Sequence, residues 1–96
     1  MRRAARVDGN HAAIVAAARQ MGCLVWSTAA LGKGFPDLII CLPKRLGRRL
    51  VLCEVKDGAK PPSARKLTPD EAEFASEWPV TLITSVNDLL ALLAVR

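Results

Sequence analysis

The chain has 96 residues, 51% of them hydrophobic and 24% charged, with a formal net charge of +5 at pH 7. That length makes one domain, the apolar content excludes a disordered chain, and no apolar run approaches the ~18–20 residues needed to cross a bilayer. A domain this small buries only ~60–65% of the surface its unfolded chain exposes, so its stability margin is thin and self-association would help.

The segment Met1-Arg2-Arg3-Ala4-Ala5-Arg6 is basic, with no apolar stretch behind it. It reads as a flexible arm over residues 1–7 rather than a secretory signal, which implies a cytoplasmic protein. From Asn10 to Met21 the Ala-rich run places Ile14, Ala17, Ala18 and Met21 at helical spacing. Asp8 or Asn10 stands where a cap belongs, and Gly22 where a helix ends. Cys23–Thr28 is a predicted strand, Ala29–Phe35 a loop with two glycines, and Asp37–Leu42 and Arg49–Lys56 two further strands around a turn at Pro43–Arg48. The polar, Pro-rich Asp57–Lys66 is a predicted mobile loop. Thr68 as N-cap, Pro69 at the first helical position and Glu71 as the capping-box acid start a helix that ends near Trp78. Val80–Thr84 is a strand, and Ser85 caps a last helix through about Ala94. The order is αβββαβα, a single α/β domain over residues 1–96. In the last helix Val86, Leu89, Leu90, Leu92 and Leu93 cover too wide an arc for one core face, which suits either a deeply buried helix or a contact with a second molecule.

Cys23, Cys41 and Cys53 fit no zinc spacing and read as reduced core thiols. His11 is the only conventional base that could activate a cysteine, and it reads as a solvated helix residue. Trp26 and Trp78 are expected in the core. Basic residues gather at Arg2, Arg3 and Arg6, at Lys44, Arg45, Arg48 and Arg49, and at Lys60, Arg65 and Lys66. All three groups fall in loops or ends, as solvating charge or as an electrostatic footprint for nucleic acid. Lys33, between Gly32 and Gly34, is a further candidate contact to phosphate.

Two strands carry charges that apolar packing does not explain. Asp37 heads one; Glu54 and Lys56 sit in the next and share a face, because residues two apart in a strand point the same way. A hairpin centred on Arg45–Leu46 sets Leu42 opposite Arg49 and Asp37 opposite Glu54, with Cβ atoms ~4.5–5.5 Å apart. Facing carboxylates repel unless a divalent cation lies between them. Mg²⁺ takes a few carboxylate oxygens, keeps several waters and accepts phosphate oxygens, and the Val55 carbonyl is a further candidate ligand. Lys56 would then orient the attacking water or neutralise charge growing on phosphorus. The alternative without chemistry is a Glu54–Lys56 ion pair on an edge strand, with Asp37 capping the turn after Pro36.

The stretches "GFPDLII", "LCEVKDG" and "KLTPDE" resemble the VRR-NUC domain of the PD-(D/E)XK nuclease superfamily, in particular its stand-alone bacteriophage form, from about Asp8 to the last strand. The resemblance implies a restriction-endonuclease-like core with a mixed sheet flanked by helices. It also implies Mg²⁺ or Mn²⁺ dependence, hydrolysis of phosphodiester bonds in DNA, and a homodimer acting on branched DNA such as Holliday junctions or flaps, in the host cytoplasm if phage-encoded. Asp37, Glu54 and Lys56 match the family's catalytic positions. The family often has a Glu in the first helix, where Asn10 is the nearest equivalent, a possible metal ligand or a plain cap. It often has a Gln where Glu71 stands, so Glu71 either contacts metal-bound water or only caps its helix. A structure-specific DNA-binding module without catalysis is the competing reading, and a small interaction protein docking through its last helix is a third.

Overall fold

The computed structural model describes residues 8–94, so the basic arm expected over residues 1–7 lies outside the described residues. The elements follow the expected order: helix α1 (His11–Gln20), strands β1 (Leu24–Ser27), β2 (Leu38–Cys41) and β3 (Leu50–Val55), helix α2 (Pro69–Glu77), strand β4 (Thr81–Ile83) and helix α3 (Val86–Leu93). Short 3-10 turns at Ala29–Leu31, Lys44–Leu46 and Pro62–Ala64 lie in the connections. The sheet runs β1-β2-β3-β4, with the β1–β2 and β2–β3 pairs antiparallel and the β3–β4 pair parallel. The protein is therefore a mixed α/β fold of four strands and three helices, with α2 as the crossover that a parallel pair requires. No helix among the described residues is long and apolar enough to cross a membrane.

The hairpin register is the expected one. Leu38 pairs with Cys53, Ile40 with Val51 and Cys41 with Leu50, and the Leu42 amide donates to the Arg49 carbonyl at 2.9 Å. One face of the sheet supplies Val25, Leu38, Ile40, Cys53, Val55 and Ile83 to a core closed by Ile14 and Ala18 of α1 and by Leu89 and Leu93 of α3. Small side chains on α1 let it pack on both α3 and β1. In α3 the leucines divide: Leu89 and Leu93 are buried, while Val86 and Leu90 are exposed. Cys23, Cys41 and Cys53 are free and buried. Burial, followed by the nearby Cys23, pushes the Cys53 thiol up to about 12, which leaves it unreactive.

Two expectations fail here. Trp26 and Trp78 are 51% and 60% exposed: Trp26 lies on the sheet face opposite the α1/α3 core, and Trp78 follows the end of α2. His11 is buried rather than solvated: the first turn of α1 lies over β1, where its Nε2 stands 3.5 Å from the Ser27 hydroxyl.

Two local devices fix the end of the sheet nearest α2. Gly34 lies at φ +83°, and a Cβ there would overlap the Asp70 carbonyl in the first turn of α2. Asn10 stands at the N-cap position of α1 without a side-chain cap bond; its Nδ2 donates to the Lys56 carbonyl at 3.2 Å and the Thr84 carbonyl at 3.0 Å. It thus clamps β3 and β4 to the start of α1. Gly34→Ala is expected to cost ~2 kcal/mol or more. Gly32→Ala, also at positive φ but with nothing near its added Cβ, should cost only ~1 kcal/mol. Asn10→Ala, which strips both carbonyls of a donor, should cost ~1–3 kcal/mol. Chemical denaturation of the three variants measures all of these.

Candidate active site

Asp37 immediately precedes β2. Its carbonyl accepts from the Thr28 amide at 2.8 Å, and the Thr28 hydroxyl donates to the Pro36 carbonyl at 2.6 Å, so the turn that presents the carboxylate is tied to the end of β1. Continuing the β2–β3 register by one residue sets Asp37 opposite Glu54. Asp37 Oδ2 accepts from the Val55 amide at 2.9 Å. Val55 thus has a visible role through its N–H; the sequence had suggested its carbonyl.

Glu54 is 3% exposed. It lies in β3 between β2 and β4, which removes the edge-strand reading of the Glu54–Lys56 pair. Lys56 Nζ stands 3.7 Å from Glu54 Oε2 and 2.8 Å from Glu71 Oε1. Glu71 also completes the capping box of α2, accepting from the Thr68 amide at 2.9 Å while its own amide donates to the Thr68 hydroxyl at 3.2 Å. The capping-only reading of Glu71 is therefore too narrow: one carboxylate caps the start of the helix and holds the lysine.

These groups line a cleft of ≈ 390 Å³ made by Asp8, Asp37, Glu54, Lys56, Lys60, Thr68 and Glu71. The structure thus brings together Asp37, Glu54, Lys56 and Glu71, with Lys60 at the margin. Asp8 was foreseen only as a cap and is the addition; its Oδ1 lies 3.7 Å from Lys60 Nζ. Nothing in the sequence marks Asp8, because it reaches the cleft only when the start of α1 is laid across the ends of β3 and β4. Asn10 does not line the cleft. Lys33 lines a different cleft, with Asp70, Glu73, Phe74, Glu77 and Trp78. Lys44 and Arg45 sit in the hairpin turn at the opposite end of the sheet, ~17 Å from Glu54 at ~3.3 Å per residue along β3. Arg65 and Lys66 lie in the loop between β3 and α2, outside the cleft lining. Arg2, Arg3 and Arg6 lie outside the described residues.

The electrostatics follow from burial. Desolvation, then the Asp37 carboxylate, then Glu71 push the Glu54 carboxyl up to about 9. At neutral pH it holds its proton, so the ionic partner of Lys56 is Glu71. Burial works against the charge of Lys56, but its hydrogen bond to Glu71, with Glu54 and Asp8 nearby, more than offsets this and raises its pKa. Burial likewise works against the charge of Glu71, and the bonds from Lys56 and the Thr68 amide outweigh it, so the net shift is downward. Among the described residues no group of three or more His, Cys, Asp or Glu side chains is arranged to hold a metal ion. The site offers a facing pair of hard oxygen ligands, which suits a cation that keeps most of its water.

The Glu54 shift has a consequence for stability. A carboxyl whose folded pKa lies above its unfolded value of 4.5 favours the folded state fully below pH 4.5, and that contribution is lost as pH rises toward 9. In metal-free buffer the protein is expected to lose stability steadily between pH 5 and pH 9. Glu54→Gln should flatten that slope and unfold at higher denaturant above neutrality. Denaturation midpoints of both proteins across this range check the sign; a wild-type slope no steeper than the variant's would refute the assignment. In comparisons with known proteins, no family model, no curated protein and no solved structure matches this chain.

Proposed function

We propose that the protein is a metal-dependent DNA endonuclease that hydrolyses phosphodiester bonds, with Asp37, Glu54 and Lys56 at its centre. The observation that carries this reading is the facing Asp37–Glu54 pair at one end of the sheet, with the Lys56 ammonium in the same cleft. Asp37 and Glu54, with the Val55 carbonyl as the further ligand suggested by the sequence, would hold Mg²⁺ or Mn²⁺. A bound cation of this kind polarises a phosphate oxygen and lowers the pKa of its water. Lys56 stands where it can orient a water or meet charge growing on the phosphoryl oxygens. Glu71 keeps that lysine charged and aimed into the cleft. Lys60 offers a contact for an adjacent phosphate.

The strand order also supports a restriction-endonuclease-like core: an antiparallel meander delivers the acidic pair, and a helical crossover leads to a parallel fourth strand. The resemblance of "GFPDLII" and "LCEVKDG" to VRR-NUC domains supports branched DNA as the substrate class. On a panel of four-way junction, flap, nicked and linear DNA with Mg²⁺, the protein is expected to cut a branched substrate. Asp37→Ala, Glu54→Ala and Lys56→Ala should each lower the rate by ~100-fold or more. Cleavage that persists in both carboxylate variants, or in chelator, defeats this mechanism.

One observation favours a second reading, a DNA-binding module without catalysis. The Lys56 ammonium already lies between Glu54 and Glu71, supplying a positive charge where a cation would otherwise be needed. Salt-dependent junction binding that is equal with and without Mg²⁺, with no cleavage of any substrate, selects it.

A further inference from the structure

We propose that the groove between helix α1 and the free edge of β1 binds an extended acidic peptide segment of another protein, which adds a strand to the sheet. β1 ends the sheet on one side. The Thr28 amide donates to the Asp37 carbonyl, so Thr28 bonds towards β2, and by alternation Val25 and Ser27 direct their N–H and C=O groups to the open side. The Val25 carbonyl bears this out: Arg19 of α1 donates to it from that side at 3.1 Å. Among the described residues no strand pairs with this edge. Leu24, Val25, Trp26 and Ser27 include neither a charge nor a proline, the usual devices that protect an edge strand.

Beside the edge lies a groove of ≈ 450 Å³ lined by His11, Ala12, Val15, Ala16, Arg19 and Ser27. Its helix side is one stripe of α1, and the alanines there leave room for a second backbone between helix and strand. Both ends are polar. His11 is 8% exposed, its Nε2 stands 3.5 Å from the Ser27 hydroxyl, and its buried Nδ1 has no hydrogen-bond partner among the described residues. At the other end the Arg19 guanidinium, with five N–H donors to give, meets the Val25 carbonyl. A strand laid on this edge brings its own N–H to that carbonyl and releases Arg19. No acidic residue lines the groove, and the chain carries +5, so charge complementarity selects a ligand with a carboxylate for Arg19. The same charge counts against the chain's own arm with Arg2, Arg3 and Arg6, and against a second copy, whose edge would bring a second Arg19. Alternate side chains of an extended peptide point to opposite faces. One set falls against Ala12 and Ala16 and must be small; the other lies beside Leu24 and Trp26, each 51% exposed. No residue of this groove lines the carboxylate cleft, so the inference does not rest on the reaction proposed there.

End-blocked hexapeptides that alternate valine with alanine and finish in glutamate, glutamine or lysine test it, titrated into the full isotope-labelled chain. The glutamate peptide is expected to bind with a dissociation constant of ~10–300 µM, to protect the Val25 and Ser27 amides from hydrogen exchange and to shift Trp26 emission to the blue. Glutamine in place of the glutamate should weaken binding ~10-fold, and lysine further. Ser27→Pro removes an edge N–H where an edge strand tolerates proline, while Ser27→Ala keeps it. The first should weaken binding at least ~10-fold and the second less than ~3-fold. Arg19→Gln, at an exposed position of α1, should erase the preference for glutamate over glutamine, and it decides the matter alone if circular dichroism shows Ser27→Pro unfolded. The proposal is overturned if no peptide binds below ~1 mM, if the lysine peptide binds as well as the glutamate peptide, or if Arg19→Gln leaves the preference intact. Protection of the Val25 and Ser27 amides in the peptide-free chain also overturns it. Protection independent of concentration assigns the edge to the chain's own arm, and protection that grows with concentration assigns it to a second copy.

Discussion

The Asp37–Glu54 pairing governs much of the molecule's physics, and it is imposed by hydrophobic register. Leu38 opposite Cys53 and Ile40 opposite Val51 bury one face of the β2–β3 hairpin against α1 and α3. A one-residue slip would turn those side chains to the other face and expose them. With the register held by that burial, two carboxyls at the open end are forced to face each other in a site shielded from water. The charge is relieved locally: the Val55 amide donates to Asp37, Glu54 keeps a proton, and Lys56 is matched by Glu71. Each of these arrangements exists because the one before it leaves a charge to be met.

Helix α2 is built differently from its neighbours. It has no buried residue, where α1 and α3 each insert apolar side chains into the core. It is held by the Lys56–Glu71 bridge, by the edge-to-face contact of Phe35 with Phe74 at 5.3 Å, and by the close approach of Gly34 to Asp70. Only the first of these contacts lies in the cleft; Phe74 and Asp70 line the neighbouring one with Lys33. The element with the least apolar anchorage is therefore the one that carries Glu71, and local opening should start there. Asn10 works in the opposite sense, binding the ends of β3 and β4 to α1 so that the backbone beneath Lys56 stays fixed.

The two faces of the sheet also differ. Its α1/α3 face is a closed core, while the other face combines an exposed apolar field with the carboxyl row. The positive charge is divided as well: Lys60 stands at the cleft, while Lys44 and Arg45 occupy the far end of the hairpin. A ligand that touched both groups would have to extend the length of β3.

Much of this was legible in the residues. Alternation and glycine or proline punctuation marked every strand and helix, because period and chain breaks are local properties. The hairpin turn length set the register, and the register set Asp37 against Glu54. Thr68, Pro69 and Glu71 announced their helix start through capping chemistry, which is complete within four positions. What the sequence left open required distant segments to meet. Asp8 joins the cleft, Asn10 clamps two carbonyls, and Glu71 reaches Lys56 only once α1 and α2 lie against the end of β3. His11 is buried because α1 lies over β1, while Trp26 is exposed because it points to the sheet face opposite α1 and α3. Local pattern specifies which faces of an element are apolar; which of those faces finds a partner is decided only by how all the elements pack together.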